Sequence, residues 1–262
     1  MESIIKKLVF SFYLTNENIN SEVNRLHLAC ISHYCSIFDE ISVVFVKDDD
    51  LREETLHDAE RMFIDMHKGK SISFSVVENT PLRESLVFKK EVVDKLNENK
   101  LVFFAHNKGT TNVLNYDKDV IYTWITAMYF YSLNFMTEVF DCLLNKKYFS
   151  YGPFLTKNNE GEHCNKYGWY YIGTFFWMNC GKINTYINNM QIELPALSDR
   201  FYSEEFLGNI YPTWPYIFTA SHDSRLIIDA KDYYHNTKKY LDILYPDKSD
   251  FNKFYENILN KI

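Results

Sequence analysis

A run of three aspartates follows one of the apolar segments of the sequence, at a position where a mononucleotide could bind. Asp48, Asp49 and Asp50 follow the segment 41–46 after one intervening residue, Lys47. Their carboxylates could accept hydrogen bonds from a base and a ribose, because an ionised carboxylate offers only acceptors. A solvated acidic turn is the alternative, since surface loops are polar whatever their function.

A second polar group, at the end of the apolar segment 101–105, has the residue types that a diphosphate needs. His106 and Lys108 provide nitrogen donors, and Gly109 leaves room for close approach of the backbone. An ordinary polar loop is the alternative for an isolated His-x-Lys-Gly sequence. If this group and the three aspartates flank one crevice, the sequence predicts a site for a nucleotide diphosphate.

Two aspartates, Asp117 and Asp119, could ligate Mg²⁺ or Mn²⁺ through their hard carboxylate oxygens. Asp119 could instead stabilise the start of a helix, where acidic side chains interact favourably with the helix dipole. His222, followed by Asp223, could complete a metal or phosphate site, although a single histidine is more often structural. Mn²⁺ and Mg²⁺ are therefore the candidate cofactors, and metal dependence stays open.

Four short apolar segments alternate with amphipathic segments and predict the elements that would position these groups. Strands are predicted over 8–14, 41–46, 72–77 and 101–105, separated by helices with apolar residues at the 3.6 period. This alternation is typical of an α/β fold with a Rossmann-type, mostly parallel sheet flanked by helices. Ligands of such sheets bind outside the carboxyl ends of the strands, where the first two polar groups fall.

The second half of the chain has a different texture. One long helix is predicted from about 119 to 145, and the Gly, Pro and aromatic residues over 148–220 predict loops and short strands rather than long helices. A chain of this length is expected to form a single domain. Its parts would be a nucleotide-binding half (1–118), an acceptor and catalytic half (119–223) and terminal helices (224–262).

The composition excludes several classes of protein. The formal net charge of −7 disfavours general nucleic-acid binding, which needs a basic surface. The five cysteines have no CxxC spacing, so neither a disulfide framework nor a zinc site is indicated. The glycine-rich phosphate motifs of dinucleotide dehydrogenases and P-loop NTPases are absent. With no signal peptide and no apolar run of about 18 residues, the sequence predicts a protein without a transmembrane segment that is cytoplasmic or works on the inner side of a membrane.

Four short elements span roughly residues 101–208: His106-Asn107-Lys108-Gly109, Asp119-Val120 with Trp124 and Met128, Gly173-Thr174-Phe175-Phe176-Trp177, and Arg200-Phe201-Tyr202-Ser203-Glu204-Glu205-Phe206-Leu207-Gly208. Together they resemble a family of predicted bacterial and viral glycosyltransferases. The third element departs from the family pattern, because Phe176-Trp177 stands where two tryptophans are expected. The first element stands where the family's fold usually carries an Asp-x-Asp metal motif.

The resemblance implies a GT-A-like fold, a nucleotide-sugar donor and a glycan acceptor, in the synthesis of a surface polysaccharide or glycoconjugate. In an inverting transfer, a carboxylate must accept the proton of the acceptor hydroxyl. Glu204 is the candidate base and Asp199 the second candidate. A structural pair between Glu204 and Arg200, four residues earlier, is the alternative.

Aromatic residues in and before the third element could form a flat platform for the acceptor sugar. The candidates are Trp169, Tyr170, Tyr171, Phe176 and Trp177. Core packing is the alternative interpretation for at least half of them.

Two other functions compete with glycosyl transfer. A non-catalytic carbohydrate-binding or assembly protein could use the same scaffold, because a fold does not fix a function. A sugar nucleotidyltransferase is the other candidate, but the loop 15–18 after the first predicted strand lacks the glycine-rich, basic sequence that it would need.

Overall fold

The computed structural model describes residues 4–67, 69–107, 117–157, 169–198, 200–211, 217–219, 241–242 and 247–262. The strands are β1 (Ile5–Leu14), β2 (Glu40–Lys47), β3 (Ser71–Glu78), β4 (Lys100–His106), β5 (Ser150–Gly152), β6 (Leu155–Lys157), β7 (Trp169–Tyr171), β8 (Phe176–Asn179) and β9 (Ile217–Thr219). The helices are α1 (Glu22–Tyr34), α2 (Glu53–Met66), α3 (Glu84–Glu91), α4 (Lys118–Leu133), α5 (Met136–Asn145), α6 (Cys180–Met190), α7 (Tyr202–Ile210) and α8 (Ser249–Leu259).

Seven strands form one sheet in the order β3-β2-β1-β4-β8-β5-β9, and β6 pairs with β7 in a separate ribbon. The first four strands are parallel to one another, and β8 runs antiparallel to both β4 and β5. The predicted fold class is therefore confirmed: a mostly parallel α/β sheet flanked by helices. The four strands predicted from the sequence are β1 to β4, each extended by one to three residues.

The helices lie on both faces of the sheet because the chain reverses direction along it. From β1 the chain moves outward to β2 and β3, and α1 and α2 pack on one face. It then returns past β1 to β4, and α3 packs on the opposite face together with α6 and α7. Right-handed crossovers produce this arrangement, since reversing the direction of travel moves the connecting helix to the other face.

The strand sequences reflect the helices that pack on the two faces of the sheet. The central strands β1 and β4 have helices on both sides, and seven of the ten residues of β1 and six of the seven of β4 are buried. Alternate residues of β4 face different cores: Phe103 packs with α1 and α4, and Phe104 with α3. The edge strand β3 has no buried residue, which fits its alternation of apolar and polar residues.

Two sequence predictions about the second half are wrong. The long helix is broken at Asn134–Phe135, and it forms α4 and α5. Helix α4 is buried from Ile121 to Leu133, whereas α5 is amphipathic and must turn to lay Val139 on the core. Phe135 lies at the break and is 41% exposed. Helices also occur where only loops and short strands were predicted, and the longest of them is α6.

No helix within the described ranges combines the length and the apolar character that a membrane crossing requires.

Candidate active site

The candidate site lies at the carboxyl edge of the parallel strands, where the strand order changes direction. Strand β1 lies between β2 and β4. The chain runs from β1 directly to β2 through α1, but it reaches β4 only after β3. Strands β1 and β2 end level, since Leu14 pairs with Lys47, whereas β4 ends at His106 opposite Ser11, three residues earlier. Such switch points form a crevice outside the carboxyl ends, and ligands of open α/β sheets bind there.

Tyr13, near the end of β1, connects the two polar groups singled out in the sequence. Its hydroxyl donates to Oδ2 of Asp48 at 2.7 Å. Its backbone N–H donates to Oδ1 of Asn107 at 2.7 Å, and its carbonyl accepts from Nδ2 of Asn107 at 2.8 Å. Tyr13 therefore contacts the turn after β2 through its side chain and the residue after β4 through its backbone.

The aspartate run is an ordered turn rather than three equivalent acids. Asp48 is half-buried and also accepts from Nδ2 of Asn79, the residue after β3, at 2.7 Å. Asp49 and Asp50 are exposed, and the Asp50 carbonyl accepts from the side chain of Asn16. Asp48 is thus the member of the run whose carboxylate is fixed at the crevice.

Burial, and then the hydrogen bond to Asp48, raises the pKa of Tyr13 to about 12. The phenol therefore stays protonated at neutral pH and acts as the donor in this contact. A carboxylate held by two donors in this way has acceptor capacity left for a ribose hydroxyl or a base N–H.

A buried pair of asparagine side chains fixes the residues beside the crevice. Nδ2 of Asn107 donates to Oδ1 of Asn24 in α1 at 2.9 Å, and both side chains are almost completely buried. Asn24 in turn donates to the carbonyl of Asn18 in the loop after β1. The two amides thus link the ends of β1 and β4 to the loop after β1. Because buried polar groups are rarely left without hydrogen bonds, these links fix the geometry of the edge.

His106 is the last residue of β4 and is 8% exposed. Its Nε2 lies 3.0 Å from the carbonyl oxygen of Gly173, which can only accept, so Nε2 carries a proton. Its Nδ1 lies 3.9 Å from Oε1 of Glu84, the first residue of α3. That distance is too long for a hydrogen bond, but a proton on Nδ1 would turn the approach into an ion pair.

Both residues that face the His106 ring adjoin a strained backbone position. Arg83, just before Glu84, has φ 48°, and Thr174, just after Gly173, has φ 55°. Gly173 itself has φ 77°, and a Cβ there would lie 2.6 Å from Cε of Met128. Non-glycine residues with positive φ are uncommon and often occur at functional sites. The concentration of strain around His106 is therefore a second indication of a site.

The candidate base Glu204 lies in the first turn of α7 and is half-buried. The start of α7 is held against the start of α3, because Oγ of Ser85 donates to the Arg200 carbonyl at 2.7 Å and accepts from the N–H of Ser203 at 3.1 Å. Helix α3 follows β3 and so begins at the carboxyl edge. Glu204 therefore belongs to the same edge as His106 and Asp48. Asp199 lies outside the described residues.

The guanidinium of Arg200 stacks over the ring of Phe201, with 4.5 Å between Cζ and the ring centroid. Arg200 precedes α7 rather than lying within it. The two residues are therefore not an i, i+4 pair within one helix, as the alternative for Glu204 assumed.

The structure corrects the expectation of an aromatic platform for an acceptor. All five side chains are at most 3% exposed: Trp169, Tyr170, Tyr171, Phe176 and Trp177. Trp177 stacks on Phe38 and donates its indole N–H to the Ser132 carbonyl at 3.0 Å. Their spacing along β7 and β8 places these rings in the two cores, so packing explains them.

The Asp-x-Asp pair begins a helix. Asp117 is the N-cap of α4, and its side chain accepts from the N–H of Asp119 at 2.9 Å. Among the described residues, no three potential ligands stand together as a metal centre. The described part of the chain therefore brings no third ligand to this pair of aspartates. Lys108, Gly109 and His222 lie outside the described residues.

Sequence reasoning missed Tyr13, Asn79 and Glu84. Each lies at or just after the carboxyl end of a strand or at the start of the next helix. A search for polar tips at the ends of all four parallel strands would have found Tyr13 and Asn79. Glu84 had no local signal, because only the packing of α3 brings it to His106.

No family model and no curated protein matches the sequence. Among solved structures, one similar chain is 4-diphosphocytidyl-2C-methyl-D-erythritol synthase from Anaerococcus prevotii DSM 20548. The similarity has a TM-score of 0.44 at 12% identity and covers 91% of this chain and 98% of that chain. Similarity at this level assigns neither a family nor an activity.

Proposed function

We propose that the protein is a glycosyltransferase that takes its sugar from a nucleotide-sugar donor bound at the carboxyl edge of the sheet. The observation that carries the proposal is the convergence at Tyr13. The acidic turn after β2 and the polar segment after β4 contact this one residue at the switch point of the sheet. The four sequence elements that resemble predicted glycosyltransferases supply the reaction class.

In this proposal the half-buried Asp48 accepts hydrogen bonds from the base or ribose of the donor. Lys108 is proposed to face the diphosphate, where negative charge develops as the bond to the sugar breaks, and His106 lies beside it at the end of β4. Gly109 allows the diphosphate to approach the backbone.

The proposed transfer needs one proton acceptor. The acceptor hydroxyl oxygen bonds to the anomeric carbon, the bond from that carbon to the diphosphate oxygen breaks, and the hydroxyl proton passes to a carboxylate. Glu204 is the proposed base, since it lies in the first turn of a helix that begins beside α3 at this edge. The acceptor is proposed to be a glycan.

A thermal-shift panel tests the donor site. UDP, GDP, CDP and dTDP are added to the protein with and without Mn²⁺, and the midpoint of unfolding is measured. A ligand at a hundredfold excess over its dissociation constant should stabilise the fold by about 2.7 kcal/mol. The variant Asp48→Asn should lose most of that shift, whereas Asp58→Asn, on the exposed side of α2, should keep it. No shift with any of the four nucleotides would contradict the proposal.

A further inference from the structure

A groove of about 720 Å³ lies at the opposite, amino edge of the sheet. It runs between α6 and the segment that leads into β4, and Ile4, just before β1, also lines it. The ten residues of β1 separate it from Tyr13 and Asp48, a distance of about 30 Å. The groove is therefore a different place from the candidate active site.

Amide side chains dominate the groove. Asn97 and Asn99 come from the segment before β4, and Asn184 and Asn189 come from α6. Among the hydrogen bonds of the described residues, none of these four side chains has a partner, in contrast to Asn179, which caps α6. Each free amide offers one carbonyl acceptor and two N–H donors side by side. Such a group matches a pair of neighbouring hydroxyls.

Gly181 allows this arrangement at the start of α6. A Cβ at this position would lie 2.8 Å from Oδ1 of Asn99, so a larger residue would push that amide away. The absence of a side chain at Gly181 therefore permits the close approach of Asn99 to α6.

The groove is nearly free of charge. No carboxylate contributes to its lining, and Lys182 is its one lysine. The Lys182 ammonium donates to the carbonyls of Lys146 and Tyr148, and burial lowers its pKa. An anionic or cationic ligand would therefore find no free partner of opposite charge, and desolvating it would cost free energy.

Apolar surface completes the lining. The rings of Phe149 and Tyr186 pack with their centroids 5.6 Å apart, and Leu144 beside them is 37% exposed. Rings combined with free amides suit a pyranose, which has an apolar C–H face and a rim of hydroxyls. The volume is within the range of small-molecule sites.

We infer that the amino-edge groove binds an uncharged oligosaccharide through the amides of Asn97, Asn99, Asn184 and Asn189. The inference does not rest on the proposed catalytic function, because none of these residues belongs to the carboxyl edge. A protein that only binds glycans could use the groove equally well.

Titrations followed by NMR test the inference on the full chain. The probes are maltohexaose, cellohexaose, mannohexaose and chitohexaose, with hexa-galacturonate as the charged probe and a neutral glycine-serine hexapeptide as the peptide probe. At least one uncharged oligosaccharide should bind and shift the signals of residues 97–99 and 181–189. Neither the galacturonate nor the peptide should do so.

Matched variants locate the binding. Asn184→Ala and Asn99→Ala should each weaken it about fivefold, the effect of one neutral hydrogen bond. Asn188→Ala, an exposed residue of α6 outside the lining, should leave it unchanged. The shift with a nucleoside diphosphate should be the same in all three variants, which separates this test from that of the donor site.

Three results would overturn the inference: no binding of any uncharged oligosaccharide at about 10 mM, equal effects of Asn184→Ala and Asn188→Ala, or equal binding of the galacturonate or the peptide.

Discussion

The two ends of the sheet present different chemistry although they are built on the same strands. At the carboxyl edge, ionisable side chains contact one another or fixed carbonyls, as in the pairs of Tyr13 with Asp48 and of His106 with Gly173. At the amino edge, the groove is lined by amides without partners in the described chain, such as Asn99 and Asn184. Groups held in fixed pairs suit the stabilisation of developing charge, whereas free neutral amides suit recognition of hydroxyls.

The comparison predicts, first, that a carboxylate matters for turnover at only one edge. Glu204→Gln should lower the rate of glycosyl transfer on the order of 100- to 10,000-fold, because glutamine cannot accept a proton. Glu98→Gln, beside the groove and paired with Lys100, should leave the rate unchanged. Single-turnover rates and product stereochemistry would be measured together. An inverted product formed at full rate by Glu204→Gln would move the assignment to Asp199.

The second prediction is that the aromatic residues of β7 and β8 stabilise the core and form no binding site at either edge of the sheet. Trp177→Ala should reduce the free energy of unfolding by about 3–5 kcal/mol, since it empties a fully buried site. It also removes the indole donor to Ser132. Urea unfolding measures the change. A loss of glycan binding with nearly unchanged stability would restore the platform interpretation.

The third prediction compares asparagines at the two edges. Asn107→Ala removes the acceptor of the Tyr13 backbone N–H and the donor to Oδ1 of Asn24, and should cost about 2 kcal/mol or more. Asn184→Ala, at a half-buried position without a hydrogen bond in the described chain, should change stability by about 0.5 kcal/mol or less. Chemical denaturation of both variants gives the difference directly. Equal costs would mean that the two edges are not built differently.

The fourth prediction concerns His67, which follows α2 at the amino edge and is 2% exposed. Its Nδ1 donates to the Phe63 carbonyl, and its Nε2 has no partner in the described chain. Burial lowers its pKa below the ordinary value near 6.5. The unfolded chain therefore binds the proton first, so stability is full above pH 6.5 and falls as the pH drops below it.

His67→Gln should reduce that loss between pH 7.5 and 5.5, and the difference between the two unfolding curves measures the contribution of His67. His33, whose pKa burial also lowers, should retain its share in the variant. A steeper loss in His67→Gln than in the unchanged protein would contradict the assignment.

Local patterns were sufficient to predict the first half of the fold. Strands β1 to β4 are buried apolar runs bounded by polar turns, and these signals are contained within each segment. The site was predictable in part. Asp48 and His106 could be found because they stand at the ends of such strands. Glu84 reaches His106 through the packing of α3, which no local pattern encodes.

The second half depends on tertiary structure. Helix α4 is apolar on all sides, so its sequence has no period that marks where it must end before α5. The aromatic residues of β7 and β8 suggested a surface platform because ring type does not reveal burial. Helix α6 had a signal that was overlooked: Asn179 as N-cap, followed by Ile183 and Ile187 four residues apart.

Hydrogen–deuterium exchange tests the central claim, a donor site at the carboxyl edge, most directly. The protein is compared with and without the nucleoside diphosphate that gives the largest thermal shift. Protection should increase at 13–18, 47–52 and 106–107, which contact one another around Tyr13, and should not change at 97–99 and 181–189. Protection confined to the amino-edge groove, or no protection at either edge, would contradict the account.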